Sequence, residues 1–180
     1  MSLPARALDP PVPDADLVAA VRAGDPGALG ALYDRHAGML GRLALRLTRS
    51  RSEAEDVVQD LFVGLPEALA RYVEAGQLVA WLRRVTVNLA LKRLRRARHR
   101  GEVALAESPA AETGGASVER IQLRRAVDSL PERLRTVVIL KVVEGYSHGE
   151  IAELLGISRG ASEVRLSRAL ARLREALEGR

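Results

Sequence analysis

The chain has no cysteine among its 180 residues, which excludes disulfides, zinc-thiolate centres and thiol catalysis. Aromatic residues make up only 3% of it against 47% hydrophobic residues overall. Leucine, valine and alanine must therefore fill the core, and that composition favours helices over sheets. No apolar run approaches the roughly 18 residues that a membrane span needs. The proline-rich start, MSLPARALDPPVPD, holds no signal-peptide core and is expected to be a disordered tail over 1–13. A soluble, cytoplasmic protein without membrane insertion is expected. Acidic residues are also missing over one long stretch, from Ala75 to Gly101. With a net charge of +5 and a pI of about 10.3, the chain suits a polyanionic partner.

What is present is helical periodicity. Asp14 or Asp16 can cap a short helix that Gly24-Asp25-Pro26-Gly27 ends. Leu29, Leu32, Tyr33, Ala37, Leu40, Leu43, Ala44 and Leu47 then recur at gaps of three and four, one face of a long helix. Ser52 with Glu55 reads as a capping box for a helix burying Val57, Val58, Leu61, Phe62 and Leu65, which Pro66 must break, kink or restart. After Gly76, the stripe Leu78, Trp81, Leu82, Val85, Leu89 and Leu94 marks another helix. These segments predict one bundle over 14–100.

Periodicity lapses over 101–117, GEVALAESPAAETGGAS, and small residues with a Gly-Gly pair predict a flexible tether. The two halves need not touch. A second helical unit follows over 118–180. Ser129 with Glu132, and Ser147 with Glu150, read as further capping boxes, while Gly145 and Gly156 end helices. The whole is expected to be all-α: an N-terminal helical bundle and a C-terminal helix-turn-helix domain joined by a linker.

Three charge patterns carry chemistry. The acid-free stretch holds Arg83, Arg84, Lys92, Arg93, Arg95, Arg96, Arg98 and Arg100 beside Trp81, Thr86 and Asn88, cations for phosphates and groups that stack on or bond to bases. If about half of those cations neutralise phosphates, log affinity falls against log salt with a slope near −3 to −4. Upstream, Glu53, Glu55, Asp56 and Asp60 form an acidic face that repels DNA and fits a protein surface; Asp56, Gln59 and Asp60 can share one patch. In EIAELLGISRGASEVRLSRALARLREAL, a short helix, a glycine turn and a basic helix make a helix-turn-helix. Ser158 opens its second helix, where backbone N–H groups can meet a phosphate. Arg159, Arg165, Arg168 and Arg172 line that helix, and Glu163 can accept from a cytosine amino group.

AEDVVQDLF, WLRRVTVNLALKRLRR and LPERLRTVVILKVVEGYSHGEIAELLGIS, in this order, resemble three segments of the sigma-70 family, specifically its extracytoplasmic-function (group 4) members. The resemblance covers roughly residues 14 to 177. It implies a sigma region 2 domain over 14–100 and a region 4 domain over 118–180, binding core RNA polymerase through its clamp helices and flap. Asp56, Gln59, Asp60 and Phe62 then fall in the clamp-binding segment. Arg83, Arg84, Asn88, Lys92, Arg95 and Arg96 fall in the segment that melts and reads the −10 element, with Asn88 near a flipped base. Ser158, Arg159, Ser162, Glu163, Arg165 and Arg168 fall in the −35-reading helix. That helix departs from the family at Ala161-Ser162-Glu163-Val164, where Thr-Val-Lys-Ser is common. An anti-sigma factor is a further implied partner.

The rival readings have less behind them. His36, His99 and His148 are scattered, no phosphate loop follows a strand, and no catalytic set or cofactor site is formed; the chain is expected not to be an enzyme. A helix-turn-helix regulator that never binds core polymerase is the alternative, and it leaves the acidic helix and the acid-free basic stretch without a role.

Overall fold

The computed structural model describes residues 12–73, 76–99 and 117–178, among which lie eight α-helices and no strand. Four make the N-terminal unit: α1 (Asp14–Arg22), α2 (Pro26–Thr48), α3 (Arg51–Ala70) and α4 (Leu78–His99). Four make the C-terminal one: α5 (Val118–Ser129), α6 (Glu132–Val138), α7 (His148–Leu155) and α8 (Arg159–Glu178). The expected tail is described only at 12–13 and the expected tether only at Ser117, which caps α5 by accepting from the Arg120 N–H. Arg100 also lies outside the described residues.

Helix starts differ from the sequence reading where a competing partner exists. Asp14 does not cap α1; it pairs instead with Arg35 (2.5 Å) and the buried His36 (3.1 Å) on α2. Ser50, not Ser52, caps α3 through the Glu53 N–H, because Arg49 in a left-handed conformation (φ 57°) turns the chain two residues earlier. Ser129 ends α5 and donates to the Ala126 carbonyl, so the expected box with Glu132 does not form. Pro66 neither breaks nor restarts α3: Leu65 and Leu69, at 1% and 0% exposure, hold the helix against the core across the missing N–H.

One apolar cluster joins α1 to α4, with Leu32, Leu40, Leu69 and Leu82 fully buried. A smaller one, Ala126, Leu130, Val138, Ala169 and Leu173, fixes α8 against α5 and α6. The remaining cluster crosses between the units. Leu43, Leu47, Val57, Val87 and Leu91 from the first meet Val137, Leu140 and Ile151 from the second. The two halves therefore touch, and they share a core. Between α6 and α7 the chain takes a π-helical turn, Ile139–Val143, closed by the Glu144 N–H on the Ile139 carbonyl at 3.0 Å. The periodicity gave no sign of this widened turn, which swings Glu144 toward the N-terminal unit.

Candidate functional site

Helix α3 exposes its acidic side chains because its other face is fully used: Val57, Val58, Leu61 and Leu65 are all buried. Asp56 and Asp60 sit one turn apart, each with a side chain 53% exposed. Arg93 on α4 reaches across to both, at 2.9 and 2.8 Å, and to Glu53 at 3.0 Å. Burial disfavours its charge, yet the bonds to Asp60 and Glu53 outweigh that and push the guanidinium further above its already high pKa. Sequence reading placed Arg93 among the cations for DNA; its partners are carboxylates.

Gln59 lies beside this patch on the wall of a groove between α2 and α3, a space of about 1010 Å³. Gly38 and Gly41 keep its α2 side open, and the exposed Tyr33 and Val63 border it. Phe62 is only 6% exposed and stands edge-on to Tyr33, ring centres 4.9 Å apart. It serves as groove floor and not as a protruding contact, because its spacing from Val58 and Leu65 puts it on the buried stripe.

On α4 the buried residues Leu82, Thr86, Val87, Ala90, Leu91 and Leu94 occupy one side. Arg84, Asn88, Lys92 and Arg96, spaced by four, form an exposed row on the other. Thr86 is fully buried and donates to the Leu82 carbonyl at 2.9 Å, so it is not available to bases. Trp81 is half-buried, its ring 5.0 Å from that of Tyr72. Arg83 and Arg95 leave the row: Arg83 binds Glu144, and Arg95 donates to the Leu154 carbonyl at 3.5 Å.

In the C-terminal unit, Ser147 and Glu150 form the expected capping box at α7, and the bonds from Ser147 hold the Glu150 carboxyl below its ordinary pKa. Gly156 takes the left-handed conformation (φ 63°) that ends α7 and lets the chain turn into α8. Ser158 caps α8 through the Ala161 N–H. Arg159, Glu163 and Arg168 are exposed and Arg165 half-buried, with Arg159 and Glu163 paired at 3.0 Å.

Ser162 is the exception among the α8 residues expected to read DNA. It is fully buried, and its hydroxyl meets His148 Nδ1 at 2.9 Å across the turn. It ties α8 to the start of α7 and has no surface for a base; Val164, 49% exposed, stands on the outside. Ser162→Ala is expected to lower stability by about 1 kcal/mol while leaving the preferred −35 bases unchanged. Thermal melting and a promoter-library selection check this together, and an altered base preference would return Ser162 to the DNA surface.

Two features escaped the sequence reading: the carboxylate clamp of Arg93, and Glu144. Both are long-range pairs, across 33 to 61 residues, and no local spacing reports such pairs.

Known proteins share this arrangement. Residues 32–100 match the family model "Sigma-70 region 2" and residues 120–173 match "Sigma-70, region 4". The chain is 34% identical to the ECF RNA polymerase sigma factor SigM of Mycobacterium tuberculosis, over 89% of this chain and 82% of that protein. It is 33% identical to the RNA polymerase sigma factor CarQ of Myxococcus xanthus, over 87% of this chain and 92% of that one. Among solved structures, the sigma factor RpoE of Bartonella quintana in complex with the anti-sigma factor NepR has a TM-score of 0.62 at 25% identity, over 79% of this chain and 91% of that one. CnrH in complex with the cytosolic domain of CnrY has a TM-score of 0.55 at 29% identity, over 92% and 97%. With both conserved regions in order on one chain, and relatives of this identity aligned over most of their length, the protein belongs to the sigma-70 family as an extracytoplasmic-function RNA polymerase sigma factor.

Proposed function

We propose that each step of promoter-specific initiation falls to one of these surfaces. The carboxylates Asp56 and Asp60, with Gln59 and the apolar groove floored by Phe62, dock the clamp helices of core RNA polymerase. The row Arg84, Asn88, Lys92 and Arg96 holds the melted −10 strand, its cations on phosphates and Asn88 on an extruded base. The start of α8, with Ser158, Arg159, Glu163, Arg165 and Arg168, enters the −35 major groove while the C-terminal unit meets the polymerase flap. RNA synthesis stays with polymerase, so the chain itself performs no catalysis. Two solved relatives are complexes with the anti-sigma factor NepR and the CnrY cytosolic domain, which supports a partner of that kind here. No described helix is long and apolar enough to cross a membrane, in keeping with action on cytoplasmic DNA.

The observation that carries this reading is the pairing of opposite surfaces on adjacent helices: an exposed acidic patch on α3 and, on α4, an exposed row of cations around Asn88. DNA repels the first and seeks the second, so two different partners are needed at once. The test is transcription of genomic DNA by bacterial core polymerase with and without the chain, mapping 5′ ends. Discrete start sites sharing two upstream elements are expected. With Asn88→Ala, the −10 preference is expected to change while −35 dependence stays; a uniform loss across promoters would assign Asn88 a structural role. Failure to bind an authenticated core polymerase would favour the lone helix-turn-helix regulator.

A further inference from the structure

Packing decides which side of α8 faces out. Ser162, Ala169 and Leu173 are buried. At about 3.6 residues per turn, the side opposite them is marked by Gly160, Val164, Ser167 and Ala171. All of these are exposed, and none carries a charge. The cations stand to either side of this seam. Arg165, Arg168 and Arg172 line one flank, and none of them is in an ion pair among the described residues. Arg159 lies on the other flank, tied to Glu163 at 3.0 Å. A methyl group at Gly160 would meet nothing within 4 Å, so the crest of the first turn is open. Val164, 49% exposed, is therefore the only side chain on the seam in the first two turns.

We propose that Val164 determines specificity at the −35 contact by packing against the C5-methyl group of a thymine. This rests on the placement of α8 in the −35 major groove. A recognition helix offers base edges the side chains of its N-terminal turns, and here that crest is apolar. Valine has no donor or acceptor, so it discriminates through what it leaves unpaired. Among the bases only thymine shows a methyl group in the major groove. A cytosine or adenine amino group, or a guanine oxygen, set against Val164 loses water and gains no hydrogen bond. Arg168 and Arg172, on the flank, are placed for phosphates, which position the helix and carry no sequence information. Charge sets how tightly α8 holds DNA, and an uncharged side chain sets where it settles.

The test uses the full chain with core polymerase on a promoter duplex taken from the mapped start sites. Each −35 thymine, on either strand, is replaced in turn by deoxyuridine, which keeps every hydrogen-bonding group and lacks only the methyl. The unaltered chain is expected to bind about fourfold more weakly when the thymine facing Val164 is replaced. Val164→Ala is expected to bind the thymine duplex about fourfold more weakly and to be indifferent to uracil there. Alanine is the better helix former and the site is exposed, so the variant keeps its fold. Arg168→Ala is expected to weaken all duplexes alike, to lower the salt slope by about 1, and to stay sensitive to the methyl. If Val164→Ala feels the loss of the methyl as the unaltered chain does, the proposal is overturned. It is also overturned if the −35 sequence is required and no replacement by uracil matters. Start sites that share no −35 element would overturn the placement of α8 itself, and the proposal with it.

Discussion

Reversing both Asp56 and Asp60 to arginine is expected to release the chain from core polymerase, weakening association at least about a hundredfold. Loss of close charge pairs at an interface costs about 2–5 kcal/mol, and a hundredfold change needs about 2.8. The fold is expected to survive. Both side chains are half in solvent, and Arg93 keeps Glu53 as a partner when the other two turn repulsive. Sedimentation or fluorescence binding to core polymerase, read beside the far-ultraviolet circular dichroism, checks both halves of the expectation. Unchanged association would move docking off α3.

Leu82→Ala carries the largest expected effect on stability. The side chain is fully buried where α4 meets the first apolar cluster, and truncating such a leucine costs about 2–5 kcal/mol. For a chain of this size that lowers the melting temperature by roughly 5–15 °C. Two positions on, Arg84 faces solvent; its truncation is expected to weaken binding to single strands and to leave the melting temperature where it was. If the two variants melted alike, the division of α4 into a packing side and a DNA side would be wrong. Calorimetry on both resolves the point.

Much of the architecture was legible because it is written in local patterns. The gaps of three and four from Leu29 to Leu47 report α2, and Gly145, Ser147, Glu150 and Gly156 punctuate the chain as expected. The helix-turn-helix was readable for the same reason. Capping was misread where a serine had a second option: Ser52 and Ser129 satisfy the pattern, but Ser50 and the Ala126 carbonyl claim the geometry. At the site, exposure separated the candidates that composition had grouped. Ser162 and Thr86 carry the right chemical types, yet packing turns each inward, while Phe62 already stood on the stripe read as buried. Arg93 and Glu144 could not be found at all from the sequence, since a charge does not reveal its partner until the helices are placed. The contact between units was likewise hidden, because Leu140 and Ile151 read equally well as the core of a unit standing alone.

That contact also has a thermal response of its own. Joining Val87, Leu91, Leu140 and Ile151 removes apolar surface from water, so parting them raises the heat capacity of the free chain. The hydrophobic share of its free energy fades on cooling. Desolvating the Glu144 and Arg83 pair also becomes less costly as temperature rises. Both components change in the same direction, so the attraction between the units strengthens on warming and weakens on cooling until the units themselves begin to melt.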